Sequence, residues 1–238
     1  RQEQIYARLG IELRRQRMCD WVAGIVELLM PLYVALKLEI LALSYIHADE
    51  TTLKVQDGAE QGKCHLGYLW GLHGPPNLVW FHYNESRSGS VPNELLKDYN
   101  GAVHTDAYAG YNVIYLPDRC LRVACLAHIR RAFLECQKVA GKDVTHILSM
   151  IAKIYKLESN LQNAEQRLAI RQTKSKLIAV ELFEFLRSTA ARTLPKSPLM
   201  KALNYALNQE AEVLRIFERG DFDLDNNAIE RQMRPVAI

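Results

Sequence analysis

Apolar positions along residues 1–43 recur at helical spacing, with Met18, Val22, Ile25, Val26 and Leu29 on one face after a break at Gly10. A short helix, a glycine turn and a second helix bearing Arg14, Arg15 and Arg17 are predicted. Two readings fit, a DNA-binding helix-turn-helix or a helical hairpin with a solvated basic face. The most apolar run, "IVELLMPLYVALKLEILAL", contains Glu27, Pro31, Lys37 and Glu39. It makes a poor membrane span, and a buried helix is expected instead.

From Tyr45 the period changes to two. "YIHADETTLKV" alternates and is rich in β-branched residues, Asp57-Gly58 signals a turn, and "HLGYLWGLHG" and "NLVWFHYN" follow as strands. A short helix near "PNELLKDY", a strand "GAVHTD", a short helix in "AYAGYNVIYL", a strand "CLRVACL" and a helix "AHIRRAFLECQKVA" complete an order of β-β-β-α-β-α-β-α. Beyond residue 140 the strand signals stop. Ile147, Met150, Ile154, Leu157, Leu161, Ala164 and Leu168 form a heptad seam, as a packing surface or a dimer interface. A second helix over "KLIAVELFEFLRSTA", a turn at Pro195 and Pro198, and a third helix carrying Met200, Leu203, Leu207, Leu214 and Phe217 follow. The expected organisation is a helical segment (1–43), an α/β core (44–140), an all-helical insertion (141–222) and a closing helix (223–238).

Composition narrows the class only slightly. A net charge of +3 permits nucleic-acid binding without arguing for it. Five cysteines at irregular spacings do not make a disulfide framework and fit a reducing, cytoplasmic compartment. The abrupt ends at Arg1 and "RPVAI" read as a segment of a longer protein.

The chemistry lies in the carboxylates. Asp49 falls inside the first strand and Asp106 at the carboxyl end of the fourth, where open α/β sheets favour ligands. Two carboxylates there repel unless a cation or a proton intervenes. A third from a nearby helix would complete a site for two Mg²⁺ or Mn²⁺ ions, suited to phosphodiester chemistry. Glu230 in "LDNNAIERQMRP" is the candidate, with Arg231 and Arg234 placed to pair with phosphate. Spacing alone does not choose it over Asp223 in the preceding loop or Asp225, expected as the helix N-cap.

"HADET", "TDAYAGY", "CLAHIRRAF" and "LDNNAIERQMRP", in this order, resemble the insertion-sequence-66 transposase family. The resemblance implies a ribonuclease H-like catalytic domain and a catalytic Asp-Asp-Glu triad falling on Asp49, Asp106 and Glu230. It implies metal-dependent cleavage and strand transfer on double-stranded DNA, by a homo-oligomer in the bacterial cytoplasm. Accessory proteins of the same element are further implied partners, and no membrane is. A full-length member would also have an N-terminal DNA- and zinc-binding region and a short C-terminal tail. A catalytically silent DNA-binding or assembly module, and a ribonuclease H-like nuclease without strand transfer, are the alternatives.

Other residues carry weaker signals. Cys125 and His128 form C-x-x-H, with Cys120, Cys64 and His65 elsewhere. A structural zinc needs four convergent ligands and is not expected here; a buried core pair, or a His128 that orients a carboxylate or phosphate, fits better. Alternation aims His47 and His104 at the same side of the sheet as the two aspartates. Arg119, Arg122, Arg130 and Arg131 make the densest basic patch, either a contact for the DNA backbone or a solvated face. Tyr108, Tyr111 and Tyr115 either stack on a frayed base or pack in the core against the insertion.

Overall fold

The computed structural model describes residues 2–56, 62–116, 119–161 and 163–236, with backbone alone at 138–140. The expected turn at Asp57-Gly58 lies outside them. Helices α1 (Gln2–Arg8) and α2 (Arg15–Leu41) precede strands β1 (Tyr45–Gln56), β2 (Cys64–Gly74) and β3 (Leu78–Asn84). Helix α3 (Ser90–Leu95), β4 (Ala102–Thr105), a 3₁₀ turn (Ala109–Ile114), β5 (Leu121–Ala124) and α4 (Leu126–Glu158) follow. The element order matches the sequence reading, with a 3₁₀ turn as the middle helix.

The strands form one mixed sheet in the order β3-β2-β1-β4-β5. β1 pairs antiparallel with β2 and parallel with β4, so the first and fourth strands are neighbours. Alternation along β1 sends Tyr45 to one face and Ile46 and Ala48 to the other, where Trp70, Leu95, Tyr111 and Ile114 complete a core. Tyr111 and Tyr115 pack in this second layer and not against the insertion. Tyr111 donates to Glu50 Oε2 at 2.7 Å, and the Tyr115 and Thr105 hydroxyls meet at 2.9 Å.

α4 is broken at Gly141, whose φ of +48° is open to glycine. Beyond the break lie α5 (Ala164–Ile170), a π-helical turn (Arg171–Ser175), α6 (Lys176–Ala191), α7 (Pro198–Leu207) and α8 (Glu210–Ile216). They share one core with the sheet, in which Val123 and Phe133 join Ile147, Leu182, Leu203 and Phe217. Two helical expectations need correcting. The heptad seam is interrupted where α4 ends and Asn163 caps α5, accepting from Gln166 N–H at 2.8 Å. Ile147, Met150 and Ile154 are consumed within the chain's own core. The expected third helix is two, α7 and α8, parted at Asn208 and Gln209.

The N-terminal segment departs furthest. Gly10 breaks the helices at φ +74°, but residues 9–14 form a longer connection than the three or four residues of a helix-turn-helix. α2 is not buried: only Ile40 is fully covered, with Tyr33, Leu36 and Lys37 half-buried against the sheet. By length and composition alone α2 is long and apolar enough to cross a membrane.

Candidate active site

His47 on β1 registers with His104 on β4; two residues on come Asp49, within β1, and Asp106, just past the end of β4. Alternation puts His47, Asp49 and His104 on one face, and Asp49 feels the charge of Asp106. The histidines are buried and stacked, with ring centroids 5.1 Å apart and planes 10° from parallel. His104 Nδ1 lies 2.8 Å from the Tyr45 hydroxyl. Both are packed beneath the carboxylates.

Glu230 arrives on α9 (Asn227–Met233), which lies flat on the sheet where β2 presents Gly71 opposite Asp49. A Cβ at Gly71 would stand 2.6 Å from Met233 Cε and 2.9 Å from Ile229 Cδ1, so any larger residue would have to move the tips of these two α9 side chains. The loop into α9 is stitched to β1 by buried polar groups. Asn226 Nδ2 donates to the Ala48 carbonyl at 3.0 Å, Asn226 Oδ1 lies 2.9 Å from His47 Nδ1, and Asn226 N–H meets Cys125 Sγ at 3.2 Å. His47 Nε2 faces Asp223 at 3.0 Å. Burial alone would raise the Asp223 carboxyl, but the His47 hydrogen bond and the charges of His47, Arg167 and Arg171 hold it below the ordinary carboxylate range.

Asp225 is not the N-cap. Asn226 takes that position, while Asp225 Oδ1 accepts from Asn227 N–H at 3.1 Å and Oδ2 from the Tyr155 hydroxyl at 2.8 Å. The side chains of Asp223 and Asp225 are thus both engaged, and the charge of Glu230 is felt by Asp49. Replacing Asn226 by Ala strands His47 Nδ1 and the Ala48 carbonyl. The expected cost is about 2 kcal/mol, measured by urea unfolding.

Electrostatics single out Asp49. Burial, then the charges of Glu50, Asp106 and Glu230, push its carboxyl up to about 8. Glu50 is the residue that sequence reasoning missed. It points to the opposite face, where Arg87 Nη2 pairs with it at 2.7 Å and Tyr111 donates to it. Asp106 Oδ1 accepts from Tyr108 N–H at 2.9 Å, and the half-buried Tyr205 phenol of α7 feels the Asp106 charge.

Glu230 faces His128 Nε2 and Arg131 Nη2, each at 3.6 Å, and its buried Oε1 has no hydrogen-bond partner. Cys125, buried at the start of α4, has its thiol pushed up to about 12 by burial. Cys64 and His65 sit at the far end of β2, where His65 bonds Tyr83. Among the described residues no group of three or more His, Cys, Asp or Glu side chains is closed tightly enough to hold a metal ion.

Arg130, Arg131, Arg231 and Arg234 are exposed. Arg122 stacks over Tyr115 at 5.6 Å, with its Nε buried and unpartnered. Arg119 instead donates to Asn93 Oδ1 and the Val113 and Leu96 carbonyls, tying α3 to the 3₁₀ turn. Tyr108 lies under Arg87, 4.1 Å from its ring centroid, and donates to the Arg87 carbonyl.

The chain is similar to three proteins of Sinorhizobium fredii (strain NBRC 101917 / NGR234), each named as uncharacterized. They are y4jD (30% identical over the whole chain), y4hP (27% over 96% of it) and y4qI (28% over the whole chain). The chain spans about half the length of these relatives, 50%, 46% and 47% respectively. No solved structure matches it. All of residues 1–238 match the family described as "Transposase IS66 family", and the chain therefore belongs to the IS66 transposase family.

Proposed function

We propose that the chain is the catalytic core of a DDE transposase, with Asp49, Asp106 and Glu230 as its metal-binding triad on a ribonuclease H-like fold. The antiparallel β1–β3 meander joined to parallel β4 and β5 supports the fold assignment. The observation that carries the site is the Asp49 carboxyl, raised to about 8 amid the charges of Glu50, Asp106 and Glu230. An all-oxygen donor set with excess negative charge and an orphaned buried oxygen on Glu230 fits hard divalent cations. Two such ions would activate an oxygen nucleophile and stabilise the leaving oxygen of a phosphodiester.

The chain's own residues do the rest. His128 and Arg131 hold the Glu230 carboxylate, each at 3.6 Å. Arg122, Arg130, Arg131, Arg231 and Arg234 grip DNA phosphates on either side of the carboxylates. Water then cleaves the strand, and the freed 3′-hydroxyl attacks target DNA in a second in-line displacement, in a bacterial cytoplasm.

A second reading, a catalytically silent DNA-binding module, is favoured by the engagement of Glu230 with His128 and Arg131. Nicking of double-stranded DNA with Mn²⁺ decides between them. The intact chain is expected to cut, with Asp106→Asn and Glu230→Gln each at least about 10³-fold slower but still shifting DNA. A chain that binds and never cuts sinks the catalytic reading, and cut products never joined to a target favour a nuclease.

A further inference from the structure

The two candidate aspartates are not held alike. Asp49 lies within β1, paired with Gly71 of β2. Asp106 follows Thr105, the last residue of β4, so the strand ladder stops one residue short of it. A carboxylate that must stand at a set distance from another needs a further constraint there. A chain of contacts running back to β1 supplies one. Asp106 Oδ1 accepts from the Tyr108 N–H at 2.9 Å. The Tyr108 hydroxyl donates to the Arg87 carbonyl at 2.6 Å, and the Arg87 guanidinium lies over the Tyr108 ring at 4.1 Å. Arg87 Nε and Nη2 both donate to Glu50 Oε1, at 2.9 and 2.7 Å. Glu50 directly follows Asp49 on β1, and its side chain is only 2% exposed. Its other oxygen takes the Tyr111 hydroxyl, which ties the 3₁₀ turn to the same carboxylate.

We propose that Glu50, Arg87 and Tyr108 form a positioning bracket that sets the Asp106 carboxylate at its distance from Asp49, so that both can hold one divalent cation. The proposal rests on the reading of these aspartates as metal ligands. Arginine suits the middle of the bracket. Its planar fork fixes direction as well as distance on Glu50, and its flat face stacks on Tyr108, which a lysine does neither of. An ion pair that takes a carboxylate out of water adds little net stability, but it does fix geometry. The loop carrying Arg87 is itself braced. Ser86 N–H donates to Asn84 Oδ1 at 2.8 Å and Ser88 N–H to Ser86 Oγ at 3.0 Å. This loop also seats directly on the 3₁₀ turn. A Cβ at Gly89 would stand 2.8 Å from the Gly110 carbonyl oxygen, a backbone atom, so a larger residue would part the two segments.

Two readouts on the full chain test this: Mn²⁺ affinity, from the paramagnetic resonance signal of the free ion, and hydrogen exchange at the Tyr108 amide without metal. Two variants open the bracket without changing net charge. Arg87→Met combined with Glu50→Gln removes the ion pair as a unit, and Gly89→Ala parts the loops without touching a charged group. Each should bind Mn²⁺ about tenfold more weakly. In each the Tyr108 amide should exchange at least about tenfold faster. Nicking of double-stranded DNA should return to within about threefold of wild type at saturating Mn²⁺, as expected of groups that position a ligand and take no part in the chemistry. Tyr108→Phe, which loses only the hydroxyl contact, should weaken Mn²⁺ binding about threefold. Arg119→Met cuts other ties to the same 3₁₀ turn and should leave both readouts unchanged. A wild-type chain with no saturable Mn²⁺ site overturns the reading of the aspartates, and the bracket with it. Wild-type binding that both bracket variants retain, or that Arg119→Met weakens equally, overturns the bracket alone.

Discussion

Asp49→Asn is expected to abolish metal-dependent DNA cleavage, by about 10³-fold or more, and at the same time to stabilise the fold. The two effects share one cause. The Asp49 carboxyl rises from an ordinary 3.8 to about 8 in the folded chain, through burial and the charges of Glu50, Asp106 and Glu230. Between pH ~4 and ~8 the folded chain holds a proton that the unfolded chain has released, so stability falls as pH rises through this window. The full penalty is present above pH ~8. Asn carries no charge and removes it. Thermal unfolding at pH 8.5 should show the variant more stable than wild type by on the order of a few kcal/mol, and at pH 4 the two should converge. Mn²⁺ should raise the melting temperature of the wild-type chain and leave the variant unmoved. A variant that is inactive and also less stable at pH 8.5 would mark Asp49 as a structural residue.

The largest loss of stability is expected at Arg171. Its side chain is fully buried in the π-helical turn, with Nε and Nη2 donating to Glu158 at 2.9 and 2.6 Å. Nη1 donates to the Ile216 carbonyl at 3.0 Å and also to the Arg219 carbonyl. One guanidinium thus ties the end of α4 to the chain that returns from the insertion toward Asp223, Asn226 and Glu230. Arg171→Met leaves the Glu158 carboxylate buried without its cation and two carbonyls unanswered, a loss of about 3–5 kcal/mol by urea unfolding. Combined with Glu158→Leu, most of that loss should return, because an apolar pair of similar volume needs no compensation. If the double variant is no better than the single one, the carbonyl contacts and not the ion pair hold the return path.

Local pattern carried the sheet and the strand positions of the candidate residues on β1. Alternation in "YIHADET" and a strand ending at "HT" bring His47 and His104 level on adjacent parallel strands, with Asp49 two residues along β1 and Asp106 just past the end of β4. The stacked His47 and His104 follow from the same period. Spacing alone leaves three acids open, and in the fold each has its own partners: Asp223 with His47, Asp225 with Tyr155, and Glu230 with His128 and Arg131. Those contacts join residues more than a hundred positions apart or across the insertion, and no local pattern encodes them. Arg171 was invisible for a related reason: a π-helical turn shifts the helical phase and swings a charged residue inward. α2 misled because an apolar run reads as buried, whereas only Ile40 of this helix is fully covered by the described chain.

The most direct test of the account is the structure of the chain crystallised with Mn²⁺ and scored on anomalous density. Peaks flanked by carboxylate oxygens of Asp49, Asp106 and Glu230 together, with Glu230 released from His128 and Arg131, are the expected result. Manganese bound to the two aspartates while Glu230 stays on His128 and Arg131 would contradict it, and would remove Glu230 from the active site.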